Sequence, residues 1–403
     1  VIKKIRLANF RNYAQQEIKT GPATNIIYGD NAQGKTNILE AVYLCVCARS
    51  HRTAKDMDLI RHEQDHYKVQ LEFTSKNGSD ETIEIRYLAP VPGDVQRQKH
   101  QRLIFHNGIR LDKIADLMGL FHAVIFAPED LNLVKEGPAT RRRYLDLLIS
   151  QVRPSYFQDL QQYSRILGQR NKMLKDLREQ GFSRHKSLDE MNLLQLEVWN
   201  EALARTGASL IWQRIIFCRR IEEIASEMQK NLSNEKEKLY VRYKTIGKMD
   251  DNCTVSQLED SFRKRLKTML YEDIERGITN SGTHRDDLEL SLDGANIRLF
   301  ASQGQQRSTV LSLKIAELRI LEEETGELPV LLLDDVMSEL DESRRLKLLE
   351  NIQSAQVFVT CTDLAQIFKQ KGDGLLASYA RRWQNASYLH VEEGQVREET
   401  IQD

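Results

Sequence analysis

Cysteine is scarce in this chain, proline is missing from its middle, and net charge is close to nil. The five cysteines stand at 45, 47, 218, 253 and 361. None forms a C-x-x-C pair and no His/Cys group has zinc spacing, which excludes a disulfide scaffold and a zinc module. Cys45 and Cys47 lie in the apolar run AVYLCVCA and read as small core residues. This usage fits a reducing compartment, and the expected location is cytoplasmic. No uncharged stretch approaches the roughly 20 residues of a membrane helix, and VIKKIRLANF lacks the apolar core of a signal peptide. Lys and Arg number 58 against 59 for Asp and Glu. Bulk charge therefore names no partner, and a nucleic-acid surface has to come from local clusters.

The seven prolines fall at 22, 90, 92, 128, 138, 154 and 329, so residues 155–328 contain none. That gap suits long helices. MNLLQLEVWNEALARTGASLIWQRIIFCRRIEEIASEMQKNL carries Leu203, Leu210 and Ile211 on one helical face. Before it, IKKIRLANF, KVQLEF and ETIEIRYL alternate as strands do. After it, DDLELSLDG and NIRLF read as a hairpin around Asp293-Gly294. A helix opens near Ser302 with Leu311, Ile315 and Leu318 on one stripe, and PVLLLDD and AQVFVTCT read as buried strands. With 403 residues there is room for two or three domains of about 100–200 residues each. The expected plan is an α/β head built from both chain ends, residues 1–125 and 280–403, carrying a mostly helical insertion at 126–279.

What is present is a phosphate loop. GDNAQGKT, residues 29–36, fits G-x-x-x-x-G-K-[ST] and stands between the apolar stretch NIIY and a helical pattern. Gly29 and Gly34 let the backbone turn sharply and approach an anion. The following helix start favours negative charge. Lys35 would reach the β- and γ-phosphates of ATP, and Thr36 would place its hydroxyl on Mg²⁺. A glycine-rich surface turn is the bland alternative. VLLLDDVMSELD, residues 330–341, supplies the acids such a loop needs. Asp334 ends an apolar strand, where it can hold Mg²⁺, and Asp335 follows, where it can orient or deprotonate water.

SQGQQRST, 302–309, opens the next helix. Taken alone it is an ordinary capped start, with Ser302 as N-cap and Gly304 allowing close approach. Followed by a buried strand, DD and SELD, it resembles the signature, acidic strand and D-loop of ABC-type ATPases, in particular the heads of the structural-maintenance-of-chromosomes class. That resemblance implies that Ser302, Gly304 and Gln305 of one subunit meet the γ-phosphate held by Lys35 of a second, making ATP the glue of a homodimer.

LANFRNY (7–13), GDNAQGKTNILEA (29–41), APEDLNLVKEGPATRRRYLD (127–146), THRDDLELSLDG (283–294), ASQGQQRS (301–308) and LLLDDVMSELD (331–341) together resemble the RecF family. The resemblance spans nearly the whole chain and implies a P-loop ABC-type head with a helical lobe. It implies a DNA-binding ATPase of recombinational repair and replication restart, acting at gaps and single-strand/double-strand junctions with RecR and RecO to help load RecA. It places Arg11, Asn12, Tyr13, Asn31, Asn37 and Asp341 beside the nucleotide. Glu129 and Asp130 fall where related ATPases carry a γ-phosphate-sensing glutamine. Thr360 or Thr362 stands in for their switch histidine, and Asp335 for their glutamate, as in a slow switch. Thr283 stands where the family carries proline.

For DNA, Arg97, Lys99, Arg102 and Arg110 form an acid-free cluster. Arg141, Arg142 and Arg143 are consecutive, and Arg184 and Lys186 end a basic run that starts at Arg165. Such groups neutralise phosphates without reading sequence; a solvated or structural role is the alternative. The other function weighed is an ATPase subunit energising a membrane transporter, against which stand the long insertion and its basic flanks. A long-armed chromosome protein fits less well, since the insertion lacks sustained heptads.

Overall fold

The structure is a computed structural model and describes residues 1–91, 98–182, 188–245, 253–352, 354–364 and 386–399. Its strands are Ile2–Phe10 (β1), Tyr13–Lys19 (β2), Thr24–Tyr28 (β3), His66–Thr74 (β4), Asp80–Leu88 (β5), Gln101–His106 (β6), Ile109–Leu111 (β7), Ala123–Phe126 (β8), Leu239–Lys244 (β9), Asp287–Leu292 (β10), Ala295–Asn296 (β11), Val330–Leu333 (β12), Val357–Cys361 (β13), Ser387–Glu392 (β14) and Gln395–Glu399 (β15). Its helices are Lys35–Cys47 (α1), Asn132–Lys135 (α2), Pro138–Val152 (α3), Pro154–Glu179 (α4), Glu190–Ser233 (α5), Val255–Thr268 (α6), Leu270–Arg276 (α7), Ile297–Phe300 (α8), Gln303–Thr325 (α9), Val336–Glu339 (α10) and Glu342–Asn351 (α11). The chain divides into two units, one of residues 1–131 with 307–403, the other of 132–306.

The first unit holds two six-stranded sheets. One is antiparallel throughout, in the order β2-β1-β4-β5-β6-β7. The second runs β15-β14-β3-β13-β12-β8, and its strands from β14 to β8 are parallel. Parallel strands buried on both faces need continuous apolar runs, which is why VLLL and VFVTC carry so few polar residues. Helix α1 packs on β4 and β5 of one sheet and on β8 and β13 of the other. It is apolar nearly all round because it has no solvent face: Ile38 to Val46 are buried without a break, Cys45 among them.

In the second unit α5, 44 residues long, packs against α4, α6 and β9. Leu203, Leu210 and Ile211 are fully buried, as their shared face requires. The hairpin forms around Asp293 and Gly294, whose φ angles of 49° and 85° suit a type I′ turn. NIRLF departs from the expected strand. Pairing stops at Asn296, whose side chain accepts from the Arg298 N–H at 3.0 Å and caps a helical turn. Strand β10 pairs with β9 in register from Asp287↔Lys244 to Leu292↔Leu239. The hairpin therefore belongs to the second unit, which closes at 306, not at 279.

This unit is braced by buried charge. The Arg214 guanidinium donates to Asp146 at 2.8 Å, to Tyr156 at 2.8 Å and to the carbonyl of Thr283 at 2.8 Å. Thr283, also buried, thus fits its turn through its backbone. Arg170, with no exposed surface, reaches Asp273 at 2.9 Å and Asn200 at 2.8 Å. Asp286 accepts from Tyr243 and Thr245, yet burial lifts its carboxyl to about 6. An acid with a raised folded pKa adds stability below its ordinary value near 3.8 and loses it as pH climbs through about 6. The Asp286 contribution to stability should therefore fall by a few kcal/mol between about pH 4 and pH 6, at about 1.4 kcal/mol per pKa unit, read in urea unfolding as the difference between wild type and a variant without the titrating group. Asp286→Asn should flatten that slope.

Candidate functional site

The carboxyl ends of β3, β13 and β12 lie side by side in the parallel sheet, the place where α/β proteins hold ligands. The loop 29–34 leaves β3 and enters α1. Gly34 is the N-cap, at φ 117°; no side chain caps the helix and no acid stands in its first turn. The helix thus carries no acid of its own in its first turn to offset the partial positive charge of its start. A Cβ on Gly29 would meet the Val391 carbonyl at 2.3 Å, and one on Gly34 would meet the Asn12 amide at 2.6 Å. The Lys35 ammonium donates to the carbonyls of Gly29 and Asp30 at 2.7 and 2.8 Å, inside the curve of the loop. Asp30, Asn31 and Ala32 are exposed at its outer edge.

Asp334 is the meeting point. Its Oδ1 accepts from Thr36 and from Thr360, at 2.8 Å each. Thr360 Oγ1 in turn accepts the Asp335 N–H at 2.9 Å. Burial pushes the Asp334 carboxyl above the ordinary range, and the two hydroxyls only partly offset it. Asp335 sits in the left-handed region at φ 50°, a conformation Asp tolerates at a modest cost. Of the two switch candidates, Thr360 is at the centre; Thr362 lies beyond the end of β13. Hydroxyl and carboxylate oxygens are the donors a hard divalent cation takes. Among the described residues no cluster of three His, Cys, Asp or Glu exists, so a cation here would complete its shell with other oxygens.

Arg11, Asn12 and Tyr13 form the β1–β2 turn and brace the loop from the side. Tyr13 donates to the Gly34 carbonyl at 3.0 Å, and Asn12 to the Gln33 carbonyl at 2.6 Å. Asn37 donates to Asn12 at 2.9 Å and accepts from Arg52 at 3.1 Å. Arg11 makes a two-pronged pair with Glu40, at 2.8 and 2.7 Å. Burial of Glu40 opposes its charge, but Arg11 and the Ser50 hydroxyl outweigh that and hold the carboxyl below its ordinary value. Glu40 was not among the expected site residues. Its signal was there to be read: it is a lone acid inside the apolar helix NILEAVYLCVC.

Asp130 turns inward and accepts the Ala127 N–H at 2.8 Å, and burial raises its carboxyl. Glu129 is exposed, with Arg52 at 3.8 Å. Asp341 caps α11, accepting from the Arg344 N–H at 3.0 Å. In the second unit, Ser302 and Gln305 form a reciprocal cap: Gln305 N–H donates to Ser302 Oγ at 3.3 Å, and Ser302 N–H to Gln305 Oε1 at 2.8 Å. Ser302 is exposed, and Gly304 is half-buried in the same turn. Of the basic residues, Arg141 is buried and grips Asp287 at 2.8 and 2.9 Å, which makes it an internal brace and not a surface for DNA. Arg142 donates to the Asp286 carbonyl at 2.6 Å and is half-buried, while Arg143 is exposed. Arg97, Arg184 and Lys186 lie outside the described residues.

A model of the RecF/RecN/SMC N terminal domain matches residues 1–381. The chain is 42% identical over 398 residues to the DNA replication and repair protein RecF of Acetivibrio thermocellus, covering 98% of this chain and 99% of that protein. With the same-named protein of Bacillus subtilis it shares 38% over 364 residues, 90% and 93% of the two chains. It matches the structure of the recombination mediator protein RecF-ATPrS in the RecFOR pathway with a TM-score of 0.84 at 34% identity, covering 99% and 98%. The match to RecF-ATP in that pathway has the same score, covering 99% and 97%. The Smc head domain of Pyrococcus furiosus shares the fold, at TM-score 0.51 and 17% identity over 99% and 96%.

The loop's geometry makes Gly34 sensitive. Gly34→Ala should lower stability by about 1–3 kcal/mol, because it meets Asn12 and Tyr13 and sits at positive φ. Thermal unfolding without nucleotide is the measurement.

Proposed function

The chain belongs to the RecF family, and from that premise we propose that it is an ATP-dependent DNA-binding protein of replication and recombinational repair. ATP closes two copies of it on DNA, and slow hydrolysis lets them part. The observation that carries the nucleotide role is the convergence of Thr36 and Thr360 on Asp334 beside a lysine-bearing phosphate loop. Full-length relatives named for DNA replication and repair, and related structures described with ATP, support the rest.

In this reading the loop N–H groups and Lys35 bind the triphosphate. Thr36 and Asp334 would hold Mg²⁺. That ion, when bound, neutralises phosphate charge as it develops. Asp335 orients the attacking water and draws its proton. Its side chain is one methylene shorter than the glutamate of related ATPases, which suits a timer better than a motor. Arg11, Asn12, Tyr13, Asn31 and Asn37 keep the loop and its nucleotide in place. Ser302, Gly304 and Gln305 of one copy donate to the γ-phosphate held by the other, with Asp341 at the same junction. ATP then contributes to both surfaces at once, and its hydrolysis removes the shared contact.

DNA would meet the exposed basic residues of the second unit, Arg143, Arg165, Lys172 and Lys175 among them. The RecFOR pathway of the relatives makes RecR and RecO the expected partners and RecA loading on gapped DNA the expected outcome. The transporter alternative is set aside, because the relatives are RecF proteins over nearly the full length of the chain.

Lys35→Met should weaken ATP binding at least tenfold, or about 1.4 kcal/mol, by fluorescence titration. Ser302→Arg should keep ATP affinity within about twofold yet stay monomeric in light scattering, since at roughly 1.4 kcal/mol per decade a lost intersubunit contact is felt only in the dimer. Dimerisation of Ser302→Arg at the wild-type level would rule out the shared-phosphate arrangement. DNA affinity should fall with salt, with a log–log slope of about −0.9 per phosphate contacted on duplex; a flat titration would argue against DNA binding through the backbone.

A further inference from the structure

Leu299 is 72% exposed and Phe300 is 74% exposed, the highest value for a large apolar residue among those described. They are not on a loose loop. They form the last turn of α8, which Asn296 caps at one end. Ile297 is buried beneath it, and the Ala301 N–H closes onto the Ile297 carbonyl at 3.1 Å. Ser302 follows at once, locked in its reciprocal cap with Gln305. Gln305 also donates to Glu237 at 2.9 Å, and the buried Gln229 donates to the other oxygen of Glu237 at 2.6 Å. A chain of side-chain hydrogen bonds thus fixes the helix start, and with it the apolar pair.

Two large apolar side chains held rigidly in water are hydrophobic surface that the fold has not buried. An aromatic anchor on a firm mount, bordered by polar groups, has the anatomy of an interface centre. Here Asn296, Arg298 and Gln303 are the exposed polar border.

We propose that Leu299 and Phe300 are the apolar anchor through which one copy of this chain seats on a second, at the rim of the partner's nucleotide site. The inference rests on the dimer reading above and adds to it the surface that carries much of the contact. The occupant follows from chain geometry. Consecutive Cα atoms are about 3.8 Å apart, so Phe300 lies within about 8 Å of Ser302. Whatever brings the Ser302 hydroxyl to a triphosphate on a second copy covers its near neighbours as well. A contact made of phosphate and serine alone would leave Phe300 beside the seam in water; packing it there makes closure depend on nucleotide and on apolar fit together.

The test compares wild type with Phe300→Ser, Leu299→Ser, the double variant and Phe300→Tyr, using a nonhydrolysable ATP analogue and sedimentation equilibrium. Both residues are exposed, so thermal unfolding should not change, and a fluorescent ATP analogue should bind each dilute monomer within about twofold of wild type. The dimer constant should weaken at least tenfold in Phe300→Ser and further in the double variant, while Phe300→Tyr stays within about threefold. If wild type dimerises with the analogue and the serine variants dimerise equally well, the anchor is refuted while the dimer reading stands. If nucleotide affinity of the monomer falls in step with dimerisation, the pair serves its own site and the proposal is wrong. Wild type that remains monomeric at every analogue concentration overturns the dimer reading, and this inference with it.

Discussion

One carboxylate oxygen ties together the parts of the candidate site. Oδ1 of Asp334 accepts from Thr36, in the first turn of α1, and from Thr360, near the end of the neighbouring strand. Two hydroxyls can meet on one oxygen only if β3, β13 and β12 are adjacent, parallel and in register to within a residue. The pairings Val359↔Ile26 and Leu333↔Val359 meet that condition. Parallel neighbours need long crossovers. The strands come from residues 24–28, 330–333 and 357–361, so both chain ends must be in place before the oxygen has its partners. A buried acid with a raised pKa is costly unless hydrogen-bonded. The threonines lower that cost, and in doing so they fix the geometry of the loop.

Much of this was legible because the loop needs backbone conformations few residues adopt. Gly29 and Gly34 are where positive φ and close approach are required, and the sequence pattern around them made the loop readable. The buried strands were legible as unbroken apolar runs, and α1 as a helical pattern after the loop. The second unit was read less well. NIRLF has the composition of a strand, but one asparagine side chain captures a backbone N–H and turns it into a helix. The pairing of β10 with β9 joins segments more than 40 residues apart, and nothing local in either sequence announces it.

The arginines show a different limit. Consecutive Arg141, Arg142 and Arg143 look alike in sequence and on a helix point in three directions, about 100° apart. Arg141 is drawn into a two-pronged pair with Asp287, Arg142 reaches a carbonyl, and Arg143 stays exposed. A charge cluster in sequence is therefore not a charge cluster in space. Asp130, which by resemblance stands where related ATPases carry a γ-phosphate-sensing glutamine, accepts the Ala127 N–H.

The position of Asp335 bears on how the proposed hydrolysis is timed. Its backbone N–H is held by Thr360 and its φ is fixed in the left-handed region, so the direction of its side chain is set by β13 as much as by its own strand. A water-orienting carboxylate gains from such restraint, because a misplacement of about 1 Å can cost a hundredfold in rate. The restraint also makes the residue answerable to whatever moves Thr360. In the proposed cycle that is the bound nucleotide, since Thr360 and Thr36 share the same Asp334 oxygen. A cation drawing on Thr36 and Asp334 would loosen one of the two hydroxyl contacts and leave Thr360 as the link between the filled site and Asp335. The element that stands in for a switch histidine would then act by hydrogen-bond exchange and not by titration, and its response would be insensitive to pH near neutrality, where a histidine's is not.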